Sequence, residues 1–295
     1  MTMIRIASVC AFALLATPAF ADALEGKKSG AEILAETTAE DWRAIPPEDV
    51  LVIELERGNV TVALSPSLAP KHVEQVKKLA REGFYDGLSF YRVIDGFVAQ
   101  GGDPFGERKI RKAKKSMKAE FETKGTSVPF MATPDADGFA PMSGFIGGLP
   151  AGHDPETGTY WHLHCTGAFA FGREDGADTA STEFYIALQP QRYLDRNMSV
   201  FGRVIEGMEH LQALRRVEPP ESKDDDIGEK IISFRVAADI PQSERFDYEI
   251  LDSARPAFAA YAESRRNRPE AFFHFRPDHL DLCQMPTPLR RKATE

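Results

Sequence analysis

Short apolar runs that alternate with turn residues dominate the middle of the chain. Two of them, 50–55 and 60–64, flank Arg57-Gly58-Asn59, a turn sequence that predicts a β-hairpin. Closing a sheet of many short strands removes its exposed edges, so the pattern predicts a closed antiparallel barrel. Six further runs have the length and composition of strands: 89–94, 97–100, 167–171, 183–188, 199–204 and 231–236.

Two other segments carry apolar residues at helical spacing. The first follows Pro70, repeats apolar positions every three or four residues as far as Ala80, and meets Gly83, which is a typical stop. The second, at 208–215, repeats in the same way. The predicted fold class is therefore mainly β, an eight-stranded closed antiparallel barrel capped by two helices.

Further segments flank and interrupt this barrel. The polar segment before it indicates a short helix or arm, and a helix is predicted at 256–268 in the segment after it. Because its aromatic residues are too apolar for a disordered tail, we expect the last segment to pack back on the barrel, the alternative being a partner-binding surface. The predicted divisions are a signal peptide (1–21), an N-terminal arm (22–48), the barrel domain (49–236) with an insertion at about 105–165, and a C-terminal extension (237–295).

The N-terminus has the features of an export signal. Arg5 precedes an apolar run at 6–15, and Ala19-Phe20-Ala21 is a small-x-small cleavage site, so we expect the mature chain to begin at Asp22. A bilayer requires roughly twenty apolar residues, which the run does not supply, so no stable membrane span is expected. These features predict export to the periplasm.

Charge excludes one broad class of partner. The formal net charge is -9, and removal of Arg5 with the signal peptide would make it more negative. Nucleic-acid binders need a basic face because attraction to phosphates supplies much of their affinity. A nucleic-acid partner is therefore not expected.

Two cysteines, Cys165 and Cys283, would remain after cleavage. In an oxidising compartment they could pair and tie the C-terminal extension to the main domain. The sequence gives no distance between them, and the expectation is two separate thiols.

The segment 90–104, FYRVIDGFVAQGGDP, sets one cation beside apolar rings and an amide. It contains no strong nucleophile, metal-ligand spacing or phosphate loop, so it suits a reaction that only needs a bond to twist. The segment closely resembles the signature of the cyclophilin-type peptidyl-prolyl cis-trans isomerases. Three later segments, 167–173, 180–186 and 193–204, resemble the same family in the right order, and the resemblance covers about 50–236.

The resemblance implies a role for particular residues. It makes Arg92 the catalytic residue, and it makes Phe97 the floor under the substrate proline, with Val98 lining it and Gln100 bonding the substrate backbone. The remaining substrate-binding positions that it implies are Gly172, Arg173, Glu183, Tyr185, Tyr193, Leu194 and Met198. It implies no cofactor and no metal.

Four positions depart from the family pattern. Tyr91 and Met198 stand where many members carry histidine, and Glu183 stands where glutamine is usual. Glu183 could pair with Arg92 and hold it, or compete with substrate for the guanidinium. Tyr193 replaces a tryptophan associated with strong cyclosporin binding, so weak binding of that drug is expected.

The resemblance predicts an isomerase that acts on Xaa-Pro bonds of proline-containing peptides and unfolded exported proteins, assisting their folding. The alternative is a cyclophilin-fold module that binds proline peptides, or a chaperone, with little turnover. A metallo-hydrolase has little support, because His153, His162, His164 and Cys165 match no strong zinc spacing.

The insertion has two parts of different composition. Residues 108–118 carry seven basic side chains, which could steer an anionic partner, or a lipid or cell-wall polymer, toward the groove, although a solvated loop or exposed helix is the simpler expectation. Residues 133–158 are rich in Gly, Pro and Asp and predict a loop flanking the site.

Overall fold

The computed structural model describes residues 26–125, 129–223 and 225–292. The predicted signal peptide, 1–21, lies outside the described residues. The strands are β1 (Trp42–Ile45), β2 (Val50–Leu55), β3 (Gly58–Leu64), β4 (Ser89–Val93), β5 (Val98–Gly102), β6 (Thr123–Lys124), β7 (Phe130–Ala132), β8 (Met142–Ile146), β9 (Leu149–Asp154), β10 (Thr159–His162), β11 (Ala168–Phe171), β12 (Phe184–Ala187), β13 (Val200–Glu206), β14 (Glu229–Val236), β15 (Tyr248–Leu251) and β16 (Leu289–Arg291). The helices are α1 (Gly30–Ala35), α2 (Pro70–Arg81), α3 (Met208–Gln212) and α4 (Pro256–Asn267).

Eight strands close into a barrel in the order β11-β12-β5-β4-β14-β2-β3-β13, and β13 pairs with β11 to complete the ring. Each pairing in the ring is antiparallel. The interior is filled by aromatic rings such as Phe169, Phe184 and Phe234, which are fully buried and contact one another. The predicted barrel of eight strands is confirmed.

Helix α2 covers the barrel through the face that the sequence indicated. Its buried residues include Val73, Val76 and Leu79, and the helix packs against β14 and β13. Helix α3 ends at Gln212, earlier than predicted, because the Arg215 N–H donates to the Glu229 carboxylate (2.8 Å) instead of continuing the helical ladder.

The prediction of a loop at 133–158 is wrong. Strands β6 to β10 form a separate five-stranded antiparallel sheet, in the order β6-β10-β9-β8-β7. Two of the glycines that suggested a loop, Gly144 and Gly152, are close-packing positions within strands β8 and β9. At Gly152, for example, a Cβ atom would lie 2.4 Å from Cε2 of Trp161, so only glycine lets the indole lie across the strand.

The two terminal segments join each other and this inserted sheet. Strand β1 pairs with β15, and β15 pairs with β16, so residues from both ends of the chain share one sheet. The predicted helix at 256–268 is present as α4. Its Phe258 is fully buried against Phe145 of β8, with ring centroids 4.9 Å apart. The C-terminal extension therefore packs on the inserted sheet through α4, and the predicted packing on the barrel is present through β15, whose Tyr248 and Ile250 share an apolar cluster with Val50 and Ala63.

Cys165 and Cys283 form a disulfide, so the expectation of two separate thiols is wrong. Cys165 is fully buried and lies in the same apolar cluster as Trp161 and Leu282, which brings the two sulfur atoms together. The bond ties the C-terminal extension to the segment that leads into β11. No helix within the described ranges is both long and apolar enough to cross a membrane.

Candidate active site on the outer wall of the barrel

A cavity of about 460 Å³ lies on the outer wall of the barrel, where β4, β5 and β12 pair. Alternation along the strands decides which side chains reach it. In β12, Phe184 points into the barrel core while Tyr185 joins an outer apolar cluster with Val98. In β5, Ala99 points inward while Val98 and Gln100 line the cavity.

A register shift between β4 and β5 brings two consecutive side chains to the same wall. Ser89 pairs with Gly102 but Arg92 pairs with Gln100, so β4 holds one extra residue there. Phe90 and Val93 on either side remain in the barrel core, while Tyr91 and Arg92 both line the cavity. The irregularity is what places the arginine beside the apolar wall.

The Arg92 guanidinium is held in place by two neighbours. Its Nη1 donates to Oε1 of Gln100 (3.1 Å), and its Cζ lies 5.2 Å from the centroid of the Phe97 ring. The Gln100 amide then donates through Nε2 to the Tyr91 hydroxyl oxygen (2.6 Å). Arg92, Gln100 and Tyr91 therefore form one chain of contacts along the cavity rim.

Glu183 turns away from Arg92. Its Oε1 accepts the backbone N–H of Asp103 (2.8 Å) and the hydroxyl of Thr182 (3.2 Å). The carboxyl group lies against Gly102, whose φ is +143° and where a Cβ atom would come within 2.4 Å of Oε2. The pairing of Glu183 with Arg92 that the sequence left open is therefore absent, because the Asp103 amide takes the carboxylate.

Burial and mutual proximity shift the pKa values of Glu183 and Tyr91. Burial raises the pKa of Glu183, while the Tyr91 hydroxyl and the Asp103 amide act in the opposite direction. Burial, followed by the charge of Glu183, raises the pKa of Tyr91. Since Gln100 donates to the Tyr91 oxygen, the phenol proton is available to the carboxylate.

Behind the cavity wall, Tyr185 is anchored by a buried polar chain. Its hydroxyl lies 3.0 Å from Nε2 of His164, and Nδ1 of His164 lies 3.0 Å from Oδ1 of Asp195. Arg192 donates through Nε to Oδ2 of Asp195 (2.6 Å). Its Nη1 and Nη2 donate two hydrogen bonds of 2.9 Å to the carboxylate of Asp137, which lies in the insertion. Burial alone would lower the pKa of Arg192, but its bonds to the two carboxylates outweigh burial and raise it. Asp195 directly follows Leu194, so this series of hydrogen bonds links the cavity walls formed by Tyr185 and Leu194.

Arg173 is fixed at the other end of the cavity. Its Nε donates to the Asn197 carbonyl (3.1 Å), and its Nη1 donates to the carbonyls of Glu174 (2.8 Å) and Asp175 (3.0 Å). Phe121 of the insertion lies under the guanidinium at 5.4 Å. These contacts give this end of the cavity a positioned positive charge.

The structure brings together nearly all the side chains that the resemblance indicated. Tyr193 is the exception, since it is 58% exposed and does not line the cavity. No residue of the predicted flanking loop, 133–158, lines it either. The predicted residues that line it are Arg92, Phe97, Val98, Gln100, Gly172, Arg173, Glu183, Tyr185, Leu194 and Met198.

Several lining residues had no sequence signal of their own. Pro219 and Pro220 reach the cavity from the segment between α3 and β14, which carries no motif. Thr182 adjoins Glu183 and could have been identified from the matching segment. The additional lining residues are Tyr91, Pro104, Glu174, Thr179, Ser181, Thr182, Pro219 and Pro220.

The residues considered as metal ligands have other partners. His162 lies 2.6 Å from the Ser65 hydroxyl, and His153 stacks on Tyr160 with ring centroids 4.1 Å apart. His164 belongs to the chain behind Tyr185, and Cys165 forms the disulfide. The described residues contain no group of three or more His, Cys, Asp or Glu side chains placed to hold a metal ion.

Comparison with known proteins agrees with this geometry. A probable peptidyl-prolyl cis-trans isomerase of Brucella suis is 31% identical over 197 residues, which cover 66% of this chain and 86% of that protein. Peptidyl-prolyl cis-trans isomerase B of Bacillus subtilis is 35% identical over 156 residues, covering 52% of this chain and 82% of that protein. The crystal structure of the cyclophilin AquaCyp293 from Hirschia baltica matches with a TM-score of 0.72 at 25% identity, covering 91% of this chain and 99% of that one.

The family model described as cyclophilin type peptidyl-prolyl cis-trans isomerase/CLD matches residues 50–236. That range begins with β2, ends with β14 and includes every strand of the barrel and all the residues that line the cavity. The chain therefore belongs to the cyclophilin-type peptidyl-prolyl cis-trans isomerases, and it is an enzyme of that class.

Proposed function

We propose that the enzyme isomerises Xaa-Pro bonds in exported polypeptides and assists their folding, with Arg92 as its catalytic residue. The observation that carries this proposal is the position of the Arg92 guanidinium. It lies at the edge of an apolar cavity, held by Gln100 and Phe97 and not paired with Glu183. A cation held in this way is available to a substrate.

The reaction is assisted by a hydrogen-bond donor placed at the prolyl nitrogen of the substrate. Rotation about a prolyl peptide bond has a barrier of roughly 20 kcal/mol because amide resonance is lost on twisting. Twisting leaves a lone pair on the prolyl nitrogen. Arg92 can donate a hydrogen bond to that lone pair only once it exists, so the contact stabilises the transition state more than either ground state.

One hydrogen bond does not account for efficient catalysis. A hydrogen bond to a charged group contributes about 1.5 to 3 kcal/mol, whereas a million-fold acceleration requires about 8 kcal/mol. Orientation of the ring and exclusion of water must supply the remainder. The apolar wall is suited to both roles, since Phe97, Val98, Tyr185, Leu194 and Met198 surround the place where the ring would sit.

The polar lining residues would hold the peptide backbone. Gln100 carries an amide at the rim, and Gly172 leaves room for a backbone to approach beside the fixed Arg173. These contacts would align the residues on either side of the proline. Tyr193 stands in place of the tryptophan that the family associates with strong cyclosporin binding, which supports weak binding of that drug.

Two features support export to the periplasm. The N-terminal sequence has the charged, apolar and small-x-small pattern of a cleaved signal peptide. The disulfide between Cys165 and Cys283 is the second, because such bonds persist mainly in oxidising compartments. Unfolded exported proteins that contain proline are accordingly the proposed substrates.

The proposal is tested by comparing wild type with Arg92→Ala and Arg92→Lys in an isomerisation assay on an Ala-Pro peptide. We expect Arg92→Ala to lower kcat/KM by about 100-fold or more, as loss of one preorganised donor does elsewhere. Lys keeps the charge but not the planar fork, so Arg92→Lys should fall between the two. Arg57→Ala, which removes a guanidinium paired with Glu229 outside the cavity, is the control.

The binding-module alternative makes a different prediction. A module without turnover would give wild type and Arg92→Ala equal rates while both still bind the peptide. That result would overturn the enzymatic proposal. The separation of Glu183 from Arg92 favours catalysis, because the guanidinium is not held by that acid.

A further inference from the structure

Residues 108–118 form an irregular, surface segment that we name the basic strap. It carries seven basic residues and no acid, in a protein whose formal net charge is -9. All seven are exposed, and only Ile110, Ala113 and Met117 turn toward the core. The strap is therefore a positively charged surface on a protein that is negatively charged overall.

The strap is fixed by its backbone, which leaves its lysine side chains directed outward. Glu82, at the end of α2, accepts the backbone N–H groups of Arg111 (2.9 Å), Lys112 and Ala113 (2.9 Å). Burial alone would raise the pKa of Glu82, but these hydrogen bonds, together with the charge of Arg111, lower it. The acid closest to the middle of the strap thus serves mainly to hold its backbone.

Three other acids around the strap are also engaged. Glu74 pairs with Lys78 at the next turn of α2, and Glu107 pairs with Lys223. Asp178 accepts the backbone N–H of Ala119 (2.9 Å). Among the described residues, none of the strap's lysines forms an ion pair with an acid. Their charge is available to a partner.

The strap runs along the rim of the active-site cavity. The Gln75 amide donates through Nε2 to the carbonyls of both Lys114 (2.7 Å) and Ser181 (3.2 Å), and Ser181 lines the cavity. The N–H of Met117 donates to the Ala180 carbonyl (2.8 Å), between the lining residues Thr179 and Ser181. A chain bound in the cavity would thus leave it beside the strap.

We propose that the basic strap is a docking surface for acidic stretches of the same polypeptide whose proline occupies the cavity. The inference rests on the proposed isomerase function and adds a preference for substrates with acidic residues a few positions from the proline. Electrostatic attraction of this kind raises association rates by about 10-fold or more and weakens with salt.

A polypeptide fits the strap better than a membrane surface does. Membrane docking combines cations with apolar side chains that insert between lipids. The apolar residues of the strap, Ile110 and Ala113, pack against the barrel core instead, and Met117 is buried. Because the strap adjoins the cavity, one occupant has to reach both surfaces at the same time, and a polypeptide can do so.

The test uses three Ala-Pro peptides that differ in a block of aspartates, serines or lysines about four residues from the proline, roughly 13 Å of extended chain. With wild type at about 0.01 M ionic strength, we expect kcat/KM to be about 10-fold higher for the aspartate peptide than for the serine peptide. At about 1 M salt, where the Debye length is roughly 3 Å, the difference should disappear.

The variant is Lys114→Ala/Lys115→Ala/Lys118→Ala, which removes three cations at the rim. It should lose the preference for the aspartate peptide and keep the wild-type rate on the serine peptide. Lys27→Ala/Arg255→Ala/Lys292→Ala, which removes three exposed cations from the terminal segments, is the matched control and should keep the preference.

The outcomes separate the two proposals. If wild type does not accelerate the serine peptide, the isomerase proposal fails. If it accelerates all three peptides equally at low salt, or if the control triple loses the preference as fully as the strap triple, only the docking proposal fails. Binding to phosphatidylglycerol vesicles that requires the strap, without any peptide preference, would assign the strap to a membrane instead.

Discussion

The Tyr185 hydroxyl lies 3.0 Å from Nε2 of His164, and the two rings are nearly parallel, 14° apart. Asp195 accepts both the backbone N–H of His164 (2.8 Å) and Nδ1–H (3.0 Å). In the neutral imidazole the other ring nitrogen is therefore the acceptor for the tyrosine proton. The hydroxyl that would otherwise be an unpaired donor in an apolar pocket is thus directed away from the cavity, and the ring carbons line it.

We predict that His164→Leu lowers both stability and kcat/KM. The change leaves the Tyr185 hydroxyl without its partner, which costs about 1 to 3 kcal/mol in the free energy of unfolding. Loss of the fixed ring position should lower kcat/KM by about 10-fold. Urea unfolding and an Ala-Pro isomerisation assay measure the two effects.

Adding Tyr185→Phe to His164→Leu should restore most of the lost activity, because both polar partners are then replaced by apolar groups. Tyr185→Phe alone should retain a rate within about 3-fold of wild type, since the ring remains. If His164 served only general stability, the second substitution would not recover kcat/KM.

We predict that Glu183→Gln changes kcat/KM by no more than about 2-fold, because Glu183 binds the Asp103 amide and not Arg92. Glutamine keeps an oxygen for that amide and removes the cost of burying a charge, so the free energy of unfolding should be unchanged or higher. Glu174→Gln, at an exposed position in the same cavity, is the control. A loss of about 10-fold for Glu183→Gln alone would show that the carboxylate takes part in the reaction.

The sequence predicts the barrel well because alternation is a local property. In β12 the apolar run alone marks a strand, and the alternation of Phe184 and Tyr185 then places one inside the barrel and one outside. The inserted sheet was missed for the opposite reason. Gly152, for example, is needed for contact with the ring of Trp161, nine residues later in the chain, and this contact is not visible as a local pattern.

The candidate site divides in the same way. The residues that resemble a known family pattern, from Arg92 to Met198, meet at one cavity with the exception of Tyr193. The polar chain behind Tyr185 was not predicted, because His164, Arg192 and Asp137 come from three segments that only the tertiary fold brings together. The direction taken by Glu183 likewise depends on the Asp103 amide, which has no signal in the sequence.

We predict that removing the disulfide weakens the attachment of the C-terminal extension. The bond closes a long loop, with a sequence separation of 118, so loss of the crosslink should lower the free energy of unfolding by about 2 to 5 kcal/mol. Urea unfolding of Cys165→Ala/Cys283→Ala measures this. Reduction of wild type should have a similar effect and should leave the variant unchanged. Equal stability of oxidised wild type and the variant would contradict the prediction.

Stability should fall with acidification between about pH 6.5 and pH 4 because of His162. Burial lowers the pKa of His162 to about 4, although the Pro150 carbonyl accepts a hydrogen bond from the ring and acts in the opposite direction, while the unfolded chain has its ordinary value near 6.5. The unfolded state therefore binds more protons in this window. The stabilisation is fully present above pH 6.5 and is lost as the pH falls through the folded pKa, with a magnitude of about 3 kcal/mol. Urea unfolding across this range measures the slope, and His162→Gln should flatten it. An unchanged slope in the variant would assign the pH dependence to other groups.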